Sequence, residues 1–341
     1  MHKLLVLVIL MSIANTAYAD QVDINAQVRV SGDYILKCQL SDGLIAMTPE
    51  QDIRGVPYFA NFSAMGLLRA YQVTKDKSYR NAVLRYADWY VSHMNPDGTT
   101  YDYAGNRDLP KATNTYDSTD SYAATFIWLC YETYCVTKDT AWLKWTYPSI
   151  AKCVDAIKLT WQEDGLTYAT PKYPVKYLMD NIEVRVGLRS AVEFARLCND
   201  KTHLKAWKQM LDMNGEGLRK LWLKSDNRFA YAVVNDGSLE KSMDVWYPGG
   251  MANAMVLAYI MSPKDPAAKI LGKELIRKFP EASDYWMFVV ADKYGYKQEA
   301  AKTRDKMKAS LTNSLDHAHY IRSLMPERER FAYLGEYLLM P

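Results

Sequence analysis

The sequence predicts an all-α fold, an (α/α) toroid in which six inner helices are ringed by six outer helices, with short β segments in the loops. Three observations lead there. Helical pairs recur about six times along the chain, and a long internal period marks a stacked or closed array of supersecondary units. In most pairs the first helix is apolar on all sides, less cleanly after Asp180, where the inner helix is the most polar of the set, and the second has one wet face, which separates buried rods from surface ones. The turn signals Asn95-Pro96-Asp97-Gly98, Asp164-Gly165 and Asp236-Gly237 fall in the long loops after second helices. An open solenoid is the rival architecture. Solenoid repeats are shorter and more regular, so long, divergent repeats favour closure.

Residues 1–19 stand apart. Lys3 gives a positive start, Leu4 to Met11 an apolar stretch, and Ala17-Tyr18-Ala19 a small-x-small cleavage site. That is the pattern of a secretory signal peptide, with a retained anchor as the alternative. Residues 20–341 then form a single domain, since no linker divides them. No later stretch is long and apolar enough for a membrane span. The expected location is periplasmic or secreted, and a monomer is expected.

From Asp20 to Arg54 the chain reads as an irregular lead-in, with strand-like alternation at Val28 and Val30. The first inner helix spans about Tyr58 to Val73 and carries no charge before Arg69. Its partner puts Tyr79, Ala82, Val83, Tyr86, Ala87, Tyr90 and Val91 on one face, the spacing of an amphipathic surface helix. Inner Asp120–Val136 precedes outer Thr140–Trp161, and inner Asn181–Leu197 precedes outer Thr202–Leu223. Inner Trp246–Met261 precedes outer Pro266–Phe279, and inner Asp284–Tyr294 precedes outer Lys297–Leu311. A shorter sixth pair covers Asp316–Leu324 and Glu327–Leu339.

Charge is nearly balanced, at +3 overall, and no basic run points to nucleic acid. The five cysteines are odd in number and lack a CxxC pair, so neither a disulfide framework nor a zinc site is indicated. Buried free thiols fit their apolar helical context, with one disulfide open after export. The 26 tyrosines and nine tryptophans fit either a large aromatic core or a cleft that stacks sugar rings. GxGxxG, P-loop, GxSxG and HExxH patterns are absent, which leaves carboxylate chemistry without a metal or cofactor.

Inner-helix N-termini would share one mouth, where spare amide donors and the helix dipole favour carboxylates. Asp120, in Tyr116-Asp117-Ser118-Thr119-Asp120-Ser121-Tyr122, would face the cavity if Ser118 or Thr119 caps the helix. Asp180 and Glu183 stand three apart on the next inner helix. They read as a capping box or as a base with a tuning neighbour. Arg185 or Arg189 could hold a carboxylate charged or bind an acidic sugar. Asp244 with Trp246 and Tyr247 suggests an acid for hydroxyls beside stacking rings, and Asp284, Tyr285 and Trp286 repeat it more weakly. Tyr58, Asn61 and Tyr116 would add polar wall. His317 and His319 could reach the rim, though plain hydrogen bonding is the simpler role.

These residues resemble the six-hairpin glycosidase superfamily of (α/α) toroids. Ser118-Thr119-Asp120-Ser121-Tyr122-Ala123 looks like the start of an inner helix in family-eight endoglucanases, where the resemblance implies an Asp that binds the scissile sugar. Asp180 followed by Arg185 is loosely similar to that family's downstream stretch, which carries the base. The family's acid lies in a Ser-Glu-Gly-type motif on the first inner helix, whereas Gly55-Val56-Pro57-Tyr58-Phe59-Ala60-Asn61 has no Glu. Unsaturated-uronyl hydrolases share the architecture and remain open.

The expected function is therefore an exported glycoside hydrolase acting on a polysaccharide or oligosaccharide, with Asp120 and Asp180 as principals and Asp117 and Glu183 in support. Inversion is expected, which asks for carboxyls about 6.5–9.5 Å apart. A non-catalytic carbohydrate-binding or exopolysaccharide-assembly protein is the alternative. A polysaccharide lyase using Tyr116, Arg185 and His317 is another.

Overall fold

The computed structural model describes residues 23–325. The expected signal peptide and the helix expected at 327–339 lie outside them. The chain is mostly helical, with small sheets confined to loops. Residues 23–38 form a helix, α1. The lead-in is therefore not irregular, and Val28 is not in a strand. Val28, Ser31, Ile35 and Cys38 are all buried while Val30 is exposed. Spacings of three and four residues mark a helix face, and the alternation at Val28 and Val30 was a local coincidence.

Eleven further α-helices follow among the described residues: α2 (Pro57–Thr74), α3 (Lys77–Ser92), α4 (Thr119–Thr137), α5 (Thr140–Lys158), α6 (Leu178–Leu197), α7 (Lys201–Lys220), α8 (Met251–Tyr259), α9 (Pro266–Lys278), α10 (Tyr285–Lys293), α11 (Lys297–Ala309) and α12 (Ser314–Ser323). The even-numbered helices pack side to side in a cycle, α2 on α4, α4 on α6, α6 on α8, α8 on α10, α10 on α12 and α12 back on α2. α3, α5, α7, α9 and α11 lie against their outer sides. α1 takes the remaining outer place. Tyr34 stacks on His317 of α12 at 4.0 Å and donates to the Thr312 carbonyl at 2.9 Å, and Tyr79 of α3 donates to Asp33 at 2.7 Å.

Small residues allow the inner helices to touch. A Cβ on Gly66 of α2 would stand 2.6 Å from the Ala318 Cα of α12, and one on Gly187 of α6 would stand 2.7 Å from the Ala124 carbonyl oxygen of α4. Most inner-helix positions are buried, whereas α3 buries one face through Tyr79, Ala82, Val83, Tyr86 and Tyr90. Deeper in the ring, Arg69 of α2 pairs with Glu132 of α4 at 2.6 Å, both almost wholly buried. Trp128 donates to the same Glu132 at 2.8 Å.

Aspartate caps mark the outer helices. Asp76, Asp139, Asp200 and Asp265 each accept a backbone N–H at the starts of α3, α5, α7 and α9, the usual role of Asp at that position. Lys75, Lys138 and Asn199 take left-handed φ in the tight inner-to-outer turns. The small sheets lie in the opposite loops. β1 (Asp52–Gly55), β2 (Tyr103–Asn106) and β3 (Lys111–Ala112) form one antiparallel sheet. β4 (Lys176–Tyr177), β7 (Ala232–Val233) and β8 (Leu239–Glu240) form a second, and β5 (Trp222–Leu223) pairs with β6 (Arg228–Phe229). β1, β3, β4 and β8 each lead toward an inner helix. The five cysteines are unpaired, with Cys38, Cys130 and Cys153 buried.

Candidate active site

The starts of the inner helices are linked to one another at one end of the ring. Ser63 of α2 bonds Ser314 of α12 at 3.1 Å, and the Trp246 indole N–H ahead of α8 donates to Asp284 at the start of α10. Tyr58 of α2 donates to Glu183 Oε1 of α6 at 2.6 Å. This end is the mouth.

Neither carboxyl of α6 serves as a helix cap. The N-cap is Tyr177, which makes no side-chain capping bond, so the capping-box reading does not hold. Glu183 is buried, and its Oε2 has no hydrogen-bond partner among the described residues. Burial pushes its carboxyl well above the usual range; the Tyr58 hydrogen bond opposes the shift and the Asp120 charge adds to it. Asp180 is half-buried. Burial raises it well above its ordinary value, and Asp120, Glu183 and Asp117 add like-charge repulsion. These directions follow from desolvation and neighbouring negative charge.

Asp120 is enclosed and committed. Its Oδ1 accepts from Ser118 Oγ at 2.6 Å and from the Ser121 N–H at 2.8 Å, and its Oδ2 accepts from Thr167 Oγ1 at 2.5 Å. Burial lifts it to about 6 despite those donors. Ser118 caps α4 as expected. Asp117 is exposed at the mouth and acts electrostatically on Asp102, Asp180 and Tyr247.

Aromatic side chains frame these acids. Tyr116 stacks with Tyr101 at 6.0 Å and lies 6.4 Å from Tyr122, whose hydroxyl donates to Asp102 at 2.9 Å. Tyr247 is 66% exposed, and its hydroxyl is pushed up by partial burial and by the charges of Asp180 and Asp117. Tyr173 and Tyr177 sit 6.4 Å apart and belong to the same wall.

The other expected residues are spread more widely. Asp244 is exposed and pairs with Lys278 at 2.9 Å and Ser242 at 2.8 Å; that lysine bond lowers its pKa first. Trp246 packs edge-on to Phe279 at 5.4 Å. Asp284 caps α10 through the Trp286 and Met287 N–H groups. Trp286 is buried among Phe62, Tyr259 and Tyr285. Asn61 is used up in the core, donating to the Tyr122 carbonyl and Thr125 and accepting from Tyr86. Arg185 points toward α7 and donates to the Leu211 carbonyl at 3.0 Å. Burial, then Arg189 and Arg219, lowers it to about 10. His317 faces α1, while His319 lies inside the ring against Tyr285 at 5.0 Å, where burial keeps it neutral.

Sequence reasoning passed over Thr167, Tyr173 and Tyr177. The latter two could have been found from the tyrosine-rich run just ahead of α6. Among the described residues, no three His, Cys, Asp or Glu side chains converge as metal ligands, and no helix is long and apolar enough to cross a membrane.

No family model matches the sequence, and no curated protein does. Solved structures do match by fold. A wild-type glycosidase superposes with a TM-score of 0.65 at 11% identity, over 95% of this chain and 99% of that one. A GH63 mannosylglycerate hydrolase from Thermus thermophilus, in complex with glucose, gives 0.64 at 11% identity, over 87% and 99%. An uncharacterized conserved protein from the same organism gives 0.64 at 10%, again over 87% and 99%. The chain has the (α/α) toroid fold of these glycosidases.

Proposed function

We propose that this chain is an exported glycoside hydrolase that cleaves a polysaccharide or oligosaccharide by carboxyl acid–base catalysis. One observation carries the reading. At the ring mouth a buried carboxyl, Glu183, is held at one oxygen and unpartnered at the other, three residues from half-buried Asp180. The fold shared with glycosidases, one of them binding glucose, supports it.

Glu183 is the proton donor. Burial raises its pKa and so favours the protonated form, and its second oxygen is free to meet a glycosidic oxygen. With that proton in place, Asp180 ionises more readily and acts as the carboxylate that activates water. Asp120 is a positioning residue that joins the Thr167 segment to α4 and keeps negative charge near the pair. Inversion is the proposed outcome, tested by the anomer first formed in a proton NMR time course. Tyr116 and Tyr247 offer ring faces to the sugar.

Asp180→Asn and Glu183→Gln, assayed separately on a polysaccharide panel, should each lose about 10²–10⁴ in kcat. Near wild-type rates in both would remove the assignment. A second reading, non-catalytic carbohydrate binding, draws on the full hydrogen bonding of Asp120. Binding without product release would favour it.

A further inference from the structure

One buried cation inside the ring belongs to no ion pair. Arg322 of α12 is 2% exposed, and among the described residues no carboxylate bridges to its guanidinium. Its Nη2 donates to the Tyr259 hydroxyl at 3.3 Å, while its Nη1 has no hydrogen-bond partner. Glu132 acts on it electrostatically but is already held by Arg69 at 2.6 Å and by Trp128 at 2.8 Å. Arg69 and Glu132 cancel, so one positive charge is left over. Arginine keeps its proton in proteins, and an uncompensated buried charge is strongly unfavourable. The guanidinium lies 4.5 Å from the ring centre of Tyr285, 5.5 Å from that of Trp128 and 5.8 Å from that of Phe62. Ring faces attract a cation, but they carry no net charge to cancel it.

Two more buried polar atoms beside it share this condition. The Tyr285 hydroxyl and His319 Nε2 have no hydrogen-bond partner among the described residues. Tyr285 stacks on His319 at 5.0 Å, and His319 and Arg322 stand three apart on one face of α12. The three side chains therefore form one cluster between α10 and α12. Buried polar groups are nearly always matched, so three unmatched atoms around one cation make the coordination set of an anion. Phe62, Tyr285 and Trp286 surround His319, yet it is only half-buried, which gives room beside the imidazole.

We propose that this cluster binds a monovalent halide ion, chloride above all, inside the ring. One leftover positive charge calls for one negative charge. Arg322 and Tyr285 donate, and a neutral imidazole donates when its proton is on Nε2. A single spherical anion meets all three. Water would meet the donors and leave the charge uncancelled. An oxyanion would bring further oxygens against Phe62 and against Trp128, whose indole N–H is already given to Glu132.

The ion braces the thinner side of the ring. Inner helices α8, α10 and α12 have 9, 9 and 10 residues, against 18, 19 and 20 in α2, α4 and α6. Through Tyr259, Tyr285 and Arg322, one ion links all three short helices. The site stands apart from the carboxyls of the mouth and needs nothing from the hydrolase reading.

The test is thermal unfolding of the purified protein at constant ionic strength, with chloride or bromide exchanged against gluconate. The melting temperature should rise by about 2 °C for each tenfold increase in chloride above its Kd. Arg322→Met should abolish that rise and, in gluconate alone, melt no lower than wild type, because it removes the unpaired charge. Tyr285→Phe keeps the ring stack and removes only the hydroxyl, so it should fold and bind chloride several-fold more weakly. Crystals grown in bromide should show an anomalous peak among Arg322, Tyr285 and His319. A wild-type melting temperature equal in chloride and gluconate overturns the proposal. So does a chloride response undiminished in Tyr285→Phe, or bromide found only on the outer surface, which would mean an adventitious ion only.

Discussion

The Tyr58 hydroxyl donates to Glu183 Oε1 at 2.6 Å, joining α2 to α6 across the mouth although α4 stands between them in the ring. The bond lowers the Glu183 pKa against the larger effect of burial. Tyr58→Phe should therefore raise that pKa further. If Glu183 donates the proton, the alkaline limb of the pH–rate profile should move to higher pH, and kcat should fall about tenfold or less as orientation is lost. An unmoved alkaline limb would detach Tyr58 from the proton donor.

Acid titration should show in the melting temperature. Burial raises Asp120 in the folded chain from 3.8 to about 6, and raises Asp180 and Glu183 well above their ordinary values. A carboxyl raised by folding contributes stability that is full below its unfolded value and is lost as pH climbs through the folded one. Melting temperature should thus decline from about pH 4 to about pH 6 through Asp120, with the raised Asp180 and Glu183 adding to the loss as pH climbs. Glu183→Gln should flatten part of that decline and melt higher than wild type at neutral pH. A variant melting lower there would mean that Glu183 is not held protonated.

Thr167→Val tests the positioning role of Asp120. It removes one of the three donors to a buried carboxylate and leaves that acceptor with less support, a loss of about 1–3 kcal/mol. Urea unfolding should show this, with a parallel fall in activity if the Thr167 segment helps shape the mouth.

Arg69→Met leaves Glu132 buried without its cation at 2.6 Å. Breaking a buried pair from one side costs about 3–5 kcal/mol. The double change Arg69→Met with Glu132→Leu should recover much of that loss. A single variant as stable as wild type in urea would contradict the pairing.

The helical alternation was legible in the sequence because inner helices need apolar residues on every side and outer ones do not. Positions set by helix phase were less so. Arg185 follows Glu183 by two residues, about 200° around the helix, so it faces α7 and cannot share the mouth with it. Counting that angle would have placed it. Asp244 looked like the partner of Trp246, yet the indole reaches Asp284 and Asp244 stays on the surface with Lys278. That choice depends on how α8 meets α10, which no local pattern encodes. α1 was hidden because Val28 and Val30 mimic a strand over three residues, while the true period needs Ser31, Ile35 and Cys38 as well.

The contact of Gly66 with Ala318 has a consequence for biosynthesis. The helix bearing Tyr58 finds its second neighbour only when α12, the last of the described helices, has been made. Until then Tyr58 and Glu183 lack the frame that seats their hydrogen bond, so removing α12 should silence a pair far upstream of it without touching either residue.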